Sequence, residues 1–133
     1  MLITHSDLEH VVTEFSSMIR EETWRRIGAE WSAVIDCQAA MDDSNSKIPW
    51  SDERGLYNFL DVHDHVLYVG STTRSFGTRF WDHADKIRVG EGRWSKAVRF
   101  RMYRFKESPC LARALEALIL ERHVSALPLN KMT

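Results

Sequence analysis

The sequence lacks any apolar run approaching the roughly 20 residues that a membrane-spanning helix needs, although 44% of its residues are hydrophobic. Charged residues make up 28% of the chain, a proportion typical of soluble globular proteins. The N-terminal residues (MLITHSD) contain neither the basic region nor the apolar stretch of a secretory signal. We therefore expect a cytoplasmic protein, and the length of 133 residues suits one domain.

Cysteine is scarce, with only Cys37 and Cys110 in the whole chain. Their spacing is not that of metal ligands, so we expect two reduced, partly buried thiols rather than a disulfide or a metal site. The sequence also lacks internal repeats, a nucleophilic triad, a dinucleotide-binding glycine loop and a P-loop. Any chemistry must come from other residues.

Net charge is also small, formally −1, but it is unevenly distributed. Residues 1–50 carry four Lys/Arg against nine Asp/Glu, a balance of −5, whereas residues 51–133 carry fourteen against ten, a balance of +4. Residues 74–106 alone carry ten against three. Such a local excess is what a protein needs to bind a phosphate backbone, although a solvated basic face would have the same composition.

The N-terminal third has the apolar spacing of helices. Ser6 or Asp7 can cap the first helix. Apolar residues then recur every three or four positions, first at Leu8, Val11, Val12, Phe15, Met18 and Ile19, and again at Trp24, Ile27, Trp31, Val34 and Ile35. One long bent helix or two helices would fit. We expect both tryptophans to pack on the rest of the chain or on a second copy of it rather than on a ligand.

Residues 41–50 are polar and predict a linker. The chain therefore divides into a helical N-terminal arm with its linker, residues 1–50, and a main domain, residues 51–133. The arm is acidic and has no recognisable DNA-binding motif.

A β-hairpin is predicted at the start of the main domain. Residues 56–61 and 65–69 are rich in aromatic and branched side chains and flank a polar turn at residues 62–64. Two histidines in this turn make at best half a zinc site, so we favour a plain turn. Residues 70–73 would end the second strand, and Thr72, Thr73 or Ser75 can cap a helix that follows.

That helix carries Arg79 and His83 on one side, because they are four residues apart. The hairpin brings Tyr57 and Tyr68 towards the same sheet. A guanidinium, an imidazole and two phenols at one place suit a phosphate.

Residues 97–105 alternate apolar and basic side chains and predict a third strand. Val98, Phe100, Met102 and Arg104 would face one way and join the core. The opposite face, with Arg99, Arg101 and Tyr103, would offer arginines to a partner.

The last helix is predicted to begin at Pro109, capped by Glu107 or Ser108. Glu116 lies at the edge of its apolar stripe, from which a carboxylate can reach a shallow site. Glu121 faces elsewhere and is expected to be solvated.

Several of these residues also form a family pattern. Gly55-Leu56-Tyr57, followed after ten residues by Tyr68-Val69-Gly70, resembles the paired signature of the GIY-YIG nucleases, with Leu and Val in place of the two isoleucines. Residues 79–83 are similar to the Arg-x-x-x-His helix of that family. Residues 115–119 resemble its glutamate helix, and residues 128–130 its closing asparagine. The resemblance covers roughly residues 54–131.

The resemblance implies an α/β (α+β) fold in which a small, mainly antiparallel three-stranded sheet is flanked by helices, here with an N-terminal helical extension. It implies an endonuclease that hydrolyses DNA through a single Mg²⁺, with Mn²⁺ as a substitute, and leaves a 5′-phosphate. Glu116 would hold the metal, since its carboxylate is the hard oxygen ligand that Mg²⁺ prefers. The implied catalytic residues are Tyr57, Tyr68, Arg79, His83, Glu116 and Asn130.

The resemblance also implies roles for these residues. Tyr57 would activate the attacking water, with Tyr68 orienting it or sharing its proton. Because a phenol has a pKa near roughly 10, it needs a nearby cation to act as a base at neutral pH, and His83 remains a rival or assisting base. Arg79 would bind phosphate oxygens. Asn130 would tie the chain end to the edge of the site.

Nucleic acid is the expected partner, DNA rather than RNA, with no membrane partner. The basic residues expected to contact it are Arg74, Arg93, Lys96, Arg99, Arg101 and Lys131. One alternative is a catalytically weak or inactive domain of the same fold that binds nucleic acid or regulates another protein. Another is that the N-terminal helices form a homodimer or dock a protein partner.

Overall fold

The computed structural model describes residues 1–42 and 48–130. In this part of the chain, five α-helices and six β-strands make up a mixed α/β structure. In chain order the elements are β1 Ile3–Thr4, α1 His5–Ser17, α2 Glu21–Ile27, β2 Glu30–Trp31, β3 Ile35–Asp36, α3 Cys37–Asp42, β4 Gly55–Leu60, β5 His65–Thr72, α4 Phe76–Val89, β6 Arg99–Arg104 and α5 Cys110–His123.

All strands pair antiparallel in one sheet, in the order β1-β5-β4-β6-β2, and β3 also pairs with β6. The three predicted strands form its centre, as β5, β4 and β6. The prediction of only three strands is wrong, because the N-terminal segment adds three strands of two residues each. A helical course through Trp31 and Ile35 is also wrong. These residues instead pair with Tyr103 and Phe100 of β6, whose outer edge would otherwise lack backbone partners.

The predicted hairpin is confirmed, with its turn closed by backbone hydrogen bonds between Asp61 and both Asp64 and His65. The expected end of the second strand at Val69 is wrong, since β5 continues to Thr72. Gly70 pairs with Tyr57 and Ser71 pairs with Leu56, so the ladder does not break at the glycine.

Side chains alternate between the two faces of the sheet, and both faces are covered. Leu56 and Leu60 of β4 belong to a core formed with α1 and α5. Tyr57 and Phe59 point to the other face, where Phe80 of α4 packs. The residues of β4 are all buried as a result.

The side chains of β6 have different surroundings. Arg99, Arg101 and Tyr103 do share one face, as predicted, and on that face Tyr103 joins the core that contains residues of α1 and α5. Tyr103 is buried, and Arg101 is half-buried beside Glu9 of α1. Arg99 donates a hydrogen bond to Asp64 Oδ1 at 2.7 Å.

Helix α1 packs on α5 and supplies apolar residues to the main core. Leu8 and Phe15 are buried together with Leu115. Trp24 packs edge-on against Phe105, and Trp31 stacks on Tyr103 with ring centroids 4.2 Å apart. The prediction that both tryptophans pack on the chain itself is confirmed.

Part of the predicted linker, residues 43–47, lies outside the described residues, and Ile48 just after it is buried. Of the two cysteines, Cys37 is buried, and this burial raises the pKa of its thiol to about 12. Cys110 is exposed at the start of α5, not partly buried as expected. Within residues 1–42 and 48–130, no helix is both long and apolar enough to span a membrane.

Candidate active site

The two signature tyrosines lie on the same face of the β4–β5 hairpin. Tyr57 pairs with Gly70 and Phe59 with Tyr68, which makes the phenol rings diagonal neighbours with centroids 6.1 Å apart. A Cβ on Gly70 would lie 2.6 Å from Cζ and Oη of Tyr57 and 3.0 Å from Cε1 of Tyr68. Glycine is needed at this position because the phenols occupy the space of a side chain.

Helix α4 brings His83 against these tyrosines. The helix begins after Ser75, whose Oγ accepts a hydrogen bond from the Thr78 backbone N–H at 3.1 Å, so one of the predicted caps is confirmed. Nε2 of His83 lies 3.2 Å from Oη of Tyr57. The ring of Trp94 stacks on the imidazole with centroids 4.9 Å apart, and this contact fixes the orientation of the imidazole ring.

Burial controls the protonation of this pair. Tyr57 is 3% exposed, and desolvation is the chief reason that its pKa is raised, while Arg79 acts in the opposite direction. Desolvation likewise lowers the pKa of His83 to about 4, with Lys86 adding to the effect. Both side chains are therefore neutral at pH 7.

The hydrogen-bond network assigns the proton of His83. Its Nδ1 is buried and has no partner among the described residues. Because a buried N–H without an acceptor is rarer and costlier than a bare lone pair, we infer that Nε2 carries the proton and donates it to Tyr57 Oη. The hydroxyl of Tyr57 is then free to donate to Tyr68.

Tyr68 is the more exposed phenol. Burial raises its pKa, but the hydrogen bond with Tyr57 raises the pKa of Tyr57 and lowers that of Tyr68. The interaction between the two phenols therefore stabilises a phenolate at Tyr68 but not a phenolate at Tyr57. Of the two, Tyr68 loses its proton more readily.

A pocket of about 270 Å³ brings together the predicted phosphate ligand and the predicted metal ligand. Arg79 reaches it from α4 and Glu116 from α5, across β5. The remaining lining residues are Ser71, Thr72, Thr73 and Arg113. Both charged groups influence the pKa of Tyr57 and Tyr68, so the phenols lie within electrostatic reach of the pocket.

Arg79 and Glu116 are each held by a neighbouring side chain. The hydroxyl of Ser71 donates to Glu116 Oε1 at 2.5 Å. Nη1 of Arg79 donates to Asp82 Oδ2 at 3.2 Å, while its Nε is buried and has no partner among the described residues. Its Nη2 makes no hydrogen bond to the described residues, so the guanidinium retains a donor group for a ligand.

Asn130 does not line the pocket but secures its edge. Its Oδ1 accepts from the Val69 N–H and its Nδ2 donates to the Val69 carbonyl, both at 2.9 Å. The N–H of Leu129 also donates to the carbonyl of Leu67. The side-chain amide thus takes the place of a peptide group from a neighbouring strand on the outer edge of β5.

The six predicted nucleic-acid contacts have different surroundings. Arg74 is exposed, and its backbone N–H donates to Thr72 Oγ1 at the pocket. Arg93 and Lys96 are exposed at a separate hollow of about 260 Å³ that Asp61 and Leu129 also line.

Of the remaining three, Arg99 is engaged by Asp64 and Arg101 is half-buried against α1, as described above. Lys131 lies outside the described residues.

Four pocket residues were not predicted as site residues from the sequence: Ser71, Thr72, Thr73 and Arg113. Ser71 directly follows the second signature triplet, and Arg113 precedes Glu116 by three residues, one turn of helix. Proximity to the motifs was the only available signal, because nothing in the sequence indicates that α5 crosses the edge of β5.

The donor set can be tested against the implied metal. Within the described residues, no group of three or more His, Cys, Asp or Glu side chains is arranged to bind a metal. Mg²⁺, however, is usually held by one or two carboxylates together with substrate phosphates and water. Glu116 beside an arginine-lined pocket fits a Mg²⁺ site that a phosphate substrate completes.

Comparisons with protein-family models, with curated proteins and with solved structures found no match to this chain. The resemblance to GIY-YIG nucleases therefore rests on the motif residues themselves.

Proposed function

We propose that this protein is a metal-dependent endonuclease of the GIY-YIG type that hydrolyses phosphodiester bonds in DNA. One observation carries the proposal: Arg79 and Glu116, from different helices, line the same small pocket within electrostatic reach of Tyr57 and Tyr68. Surface charges that serve only solubility have no reason to converge in this way.

In this proposal each group has a task. Arg79 binds non-bridging oxygens of the scissile phosphate through its planar set of donors. Glu116, oriented by Ser71, is the protein ligand for Mg²⁺. The metal, when bound, supplies a Lewis acid that polarises the phosphate and lowers the pKa of water. Asn130 keeps the edge of β5 in place beside the pocket.

In this proposal the tyrosine pair lies closer to the attacking water than His83 does, and Tyr68 can take the proton of the water only as a phenolate, a form that the charge of Arg79 favours. His83 uses Nε2 to bind Tyr57 and has a depressed pKa, which suits orientation of the phenol better than direct attack on water. Tyr57 and Tyr68 each shift the pKa of the other, so the two phenols titrate as a coupled pair.

The proposal is tested by incubating the purified protein with supercoiled plasmid, a branched DNA junction and single-stranded RNA, with and without Mg²⁺ or Mn²⁺. Metal-dependent nicking of DNA is expected. Absence of cleavage with either metal on every substrate would contradict the proposal.

A second candidate, a nucleic-acid-binding or regulatory domain with little catalysis, is favoured by one observation. Tyr57 is almost completely buried, and both phenols have raised pKa values. A salt-sensitive gel shift without nicking, in the presence of either metal, would support this candidate over the nuclease.

A further inference from the structure

Arg113 is a second cation in the pocket that the proposed chemistry does not use. It lies on α5 three residues before Glu116 and therefore on the same side of that helix. Its side chain is exposed and, among the described residues, makes no hydrogen bond or ion pair. Arg79, Arg88 and Arg122, by contrast, each form an ion pair with an acidic residue.

The carboxylate nearest to Arg113 along the helix is already engaged. Glu116 accepts a hydrogen bond from Ser71 instead of pairing with Arg113, although residues three apart on a helix often form ion pairs. With two guanidiniums and one carboxylate, the pocket has a formal charge of +1. Arg79 alone meets the needs of one phosphodiester, so Arg113 is left for a second anionic group.

The lining of the pocket indicates what that group is. Hydroxyl, guanidinium and carboxylate groups line the pocket. None of the lining residues has an aromatic ring on which a base can stack. Its volume of about 270 Å³ lies just below the range of roughly 300–1,000 Å³ for small-molecule sites. Such a pocket suits the sugar-phosphate backbone, where each nucleotide brings a further negative charge.

We propose that Arg113 binds the phosphate next to the scissile one, so that the pocket recognises two successive phosphates of a polynucleotide independently of its bases. The inference rests on the proposed nuclease function, and it makes a polynucleotide, rather than an isolated phosphodiester, the substrate of the site.

The test is a double-mutant cycle between Arg113 and the DNA backbone. The cleavage position of the full-length protein in a short duplex is mapped first. Two further duplexes then carry a neutral methylphosphonate at the phosphate immediately 5′ or 3′ of that position. For the wild-type protein, one of the two should lower kcat/KM roughly ten- to a hundredfold, the loss expected for one charge-assisted hydrogen bond.

The Arg113→Ala variant should lose a similar factor on unmodified DNA and show no further loss with that methylphosphonate. Arg113→Lys should recover part of the activity, because it keeps the charge. Arg26→Ala, which removes an exposed arginine from α2, is the matched control and should behave as wild type. Multiplicative losses for Arg113→Ala with both duplexes would overturn the inference.

Failure of the proposed function gives a different result. If the wild-type protein binds DNA without cutting it, the same proteins are compared by fluorescence anisotropy on the unmodified duplex. Arg113→Ala should then reduce the dependence of log Kd on log salt by about one unit. An unchanged salt dependence would overturn the role of Arg113, whereas the absence of cleavage alone would overturn only the nuclease.

Discussion

The hydroxyl of Tyr57 lies 3.2 Å from Nε2 of His83 in the packed layer between β4 and α4, not in the pocket that holds Arg79 and Glu116. His83 therefore reaches a substrate only through the phenols. Tyr68 is the more exposed member of this chain of hydrogen bonds, and the pocket charges are its next neighbours.

The buried state of His83 predicts a pH-dependent stability. Its pKa is about 4 in the folded protein and near 6.5 when unfolded, so the unfolded chain binds an extra proton between these values. The stabilisation is complete above pH 6.5 and is lost as the pH falls towards 4. The loss should be on the order of 3 kcal/mol.

Urea unfolding at several pH values between 7.5 and 4.5 measures this loss. His83→Gln should flatten the profile, whereas His10→Gln, at an exposed position of α1, should leave it unchanged. Since burial also lowers the pKa of His5, part of the slope should persist in His83→Gln. An identical slope in wild type and His83→Gln would contradict the prediction.

Removal of the charge of Arg79 or Glu116 should abolish cleavage without unfolding the protein. Arg79→Ala removes the phosphate ligand, and Glu116→Gln removes the charge needed for Mg²⁺ while keeping an oxygen for Ser71. We expect losses of about a hundredfold or more in kcat. Plasmid nicking and thermal unfolding are measured together.

The matched control is Glu121→Gln, at an exposed position of the same helix. It should cleave like wild type. Undiminished cutting by folded Arg79→Ala or Glu116→Gln would contradict the assignment of these two residues to the active site.

Ser71 is expected to position Glu116. Without its hydroxyl the carboxylate loses a 2.5 Å hydrogen bond and gains rotamer freedom. Ser71→Ala should need a higher Mg²⁺ concentration for half-maximal cleavage and lose roughly ten- to a hundredfold in activity. Ser125→Ala, at an exposed position, serves as the control. A Mg²⁺ titration curve that superimposes on wild type would show that Glu116 is oriented by other means.

The predicted basic contacts should separate into two groups. Replacing Arg93 and Lys96 together with alanine should lower the salt dependence of DNA binding by about two units and leave stability unchanged, because both side chains are exposed. Arg101→Ala should instead lower the free energy of unfolding by about 1–2 kcal/mol, since it empties a half-buried site beside Glu9.

Anisotropy titrations at several salt concentrations and thermal melts distinguish these effects. A fully stable Arg101→Ala variant with weakened DNA binding would assign Arg101 to the interface after all.

The centre of the fold follows from local patterns in the sequence. Two aromatic-rich runs around a polar turn predict the hairpin, and Ser75, one of three candidate caps, marks the start of α4. The alternation in β6 correctly separates Phe100 and Met102 from Arg99 and Arg101. These features depend on backbone geometry within a few residues, which sequence spacing encodes directly.

The N-terminal strands were not predictable in this way. Trp24, Ile27, Trp31 and Ile35 have helical spacing, yet β2 and β3 are strands because Trp31 and Ile35 pair with the edge of β6. A strand of two residues is too short to show the alternation of apolar and polar side chains that predicts a strand. Pairing with a distant strand therefore decides the conformation of β2 and β3. The same reasoning applies to Arg99 of β6, which donates to Asp64 in the hairpin turn, 35 residues earlier in the chain.

The sequence by itself determined which residues were proposed for the chemistry, because the two tyrosines, Arg79, His83, Glu116 and Asn130 stand in the order and spacing of the family pattern. Only the tertiary structure decided how they are grouped, with Tyr57 and His83 buried together and Arg79 and Glu116 in a pocket with Ser71 and Arg113. The reason is physical. Helices α4 and α5 approach β5 from opposite faces, and such an approach depends on core packing between distant segments rather than on local spacing.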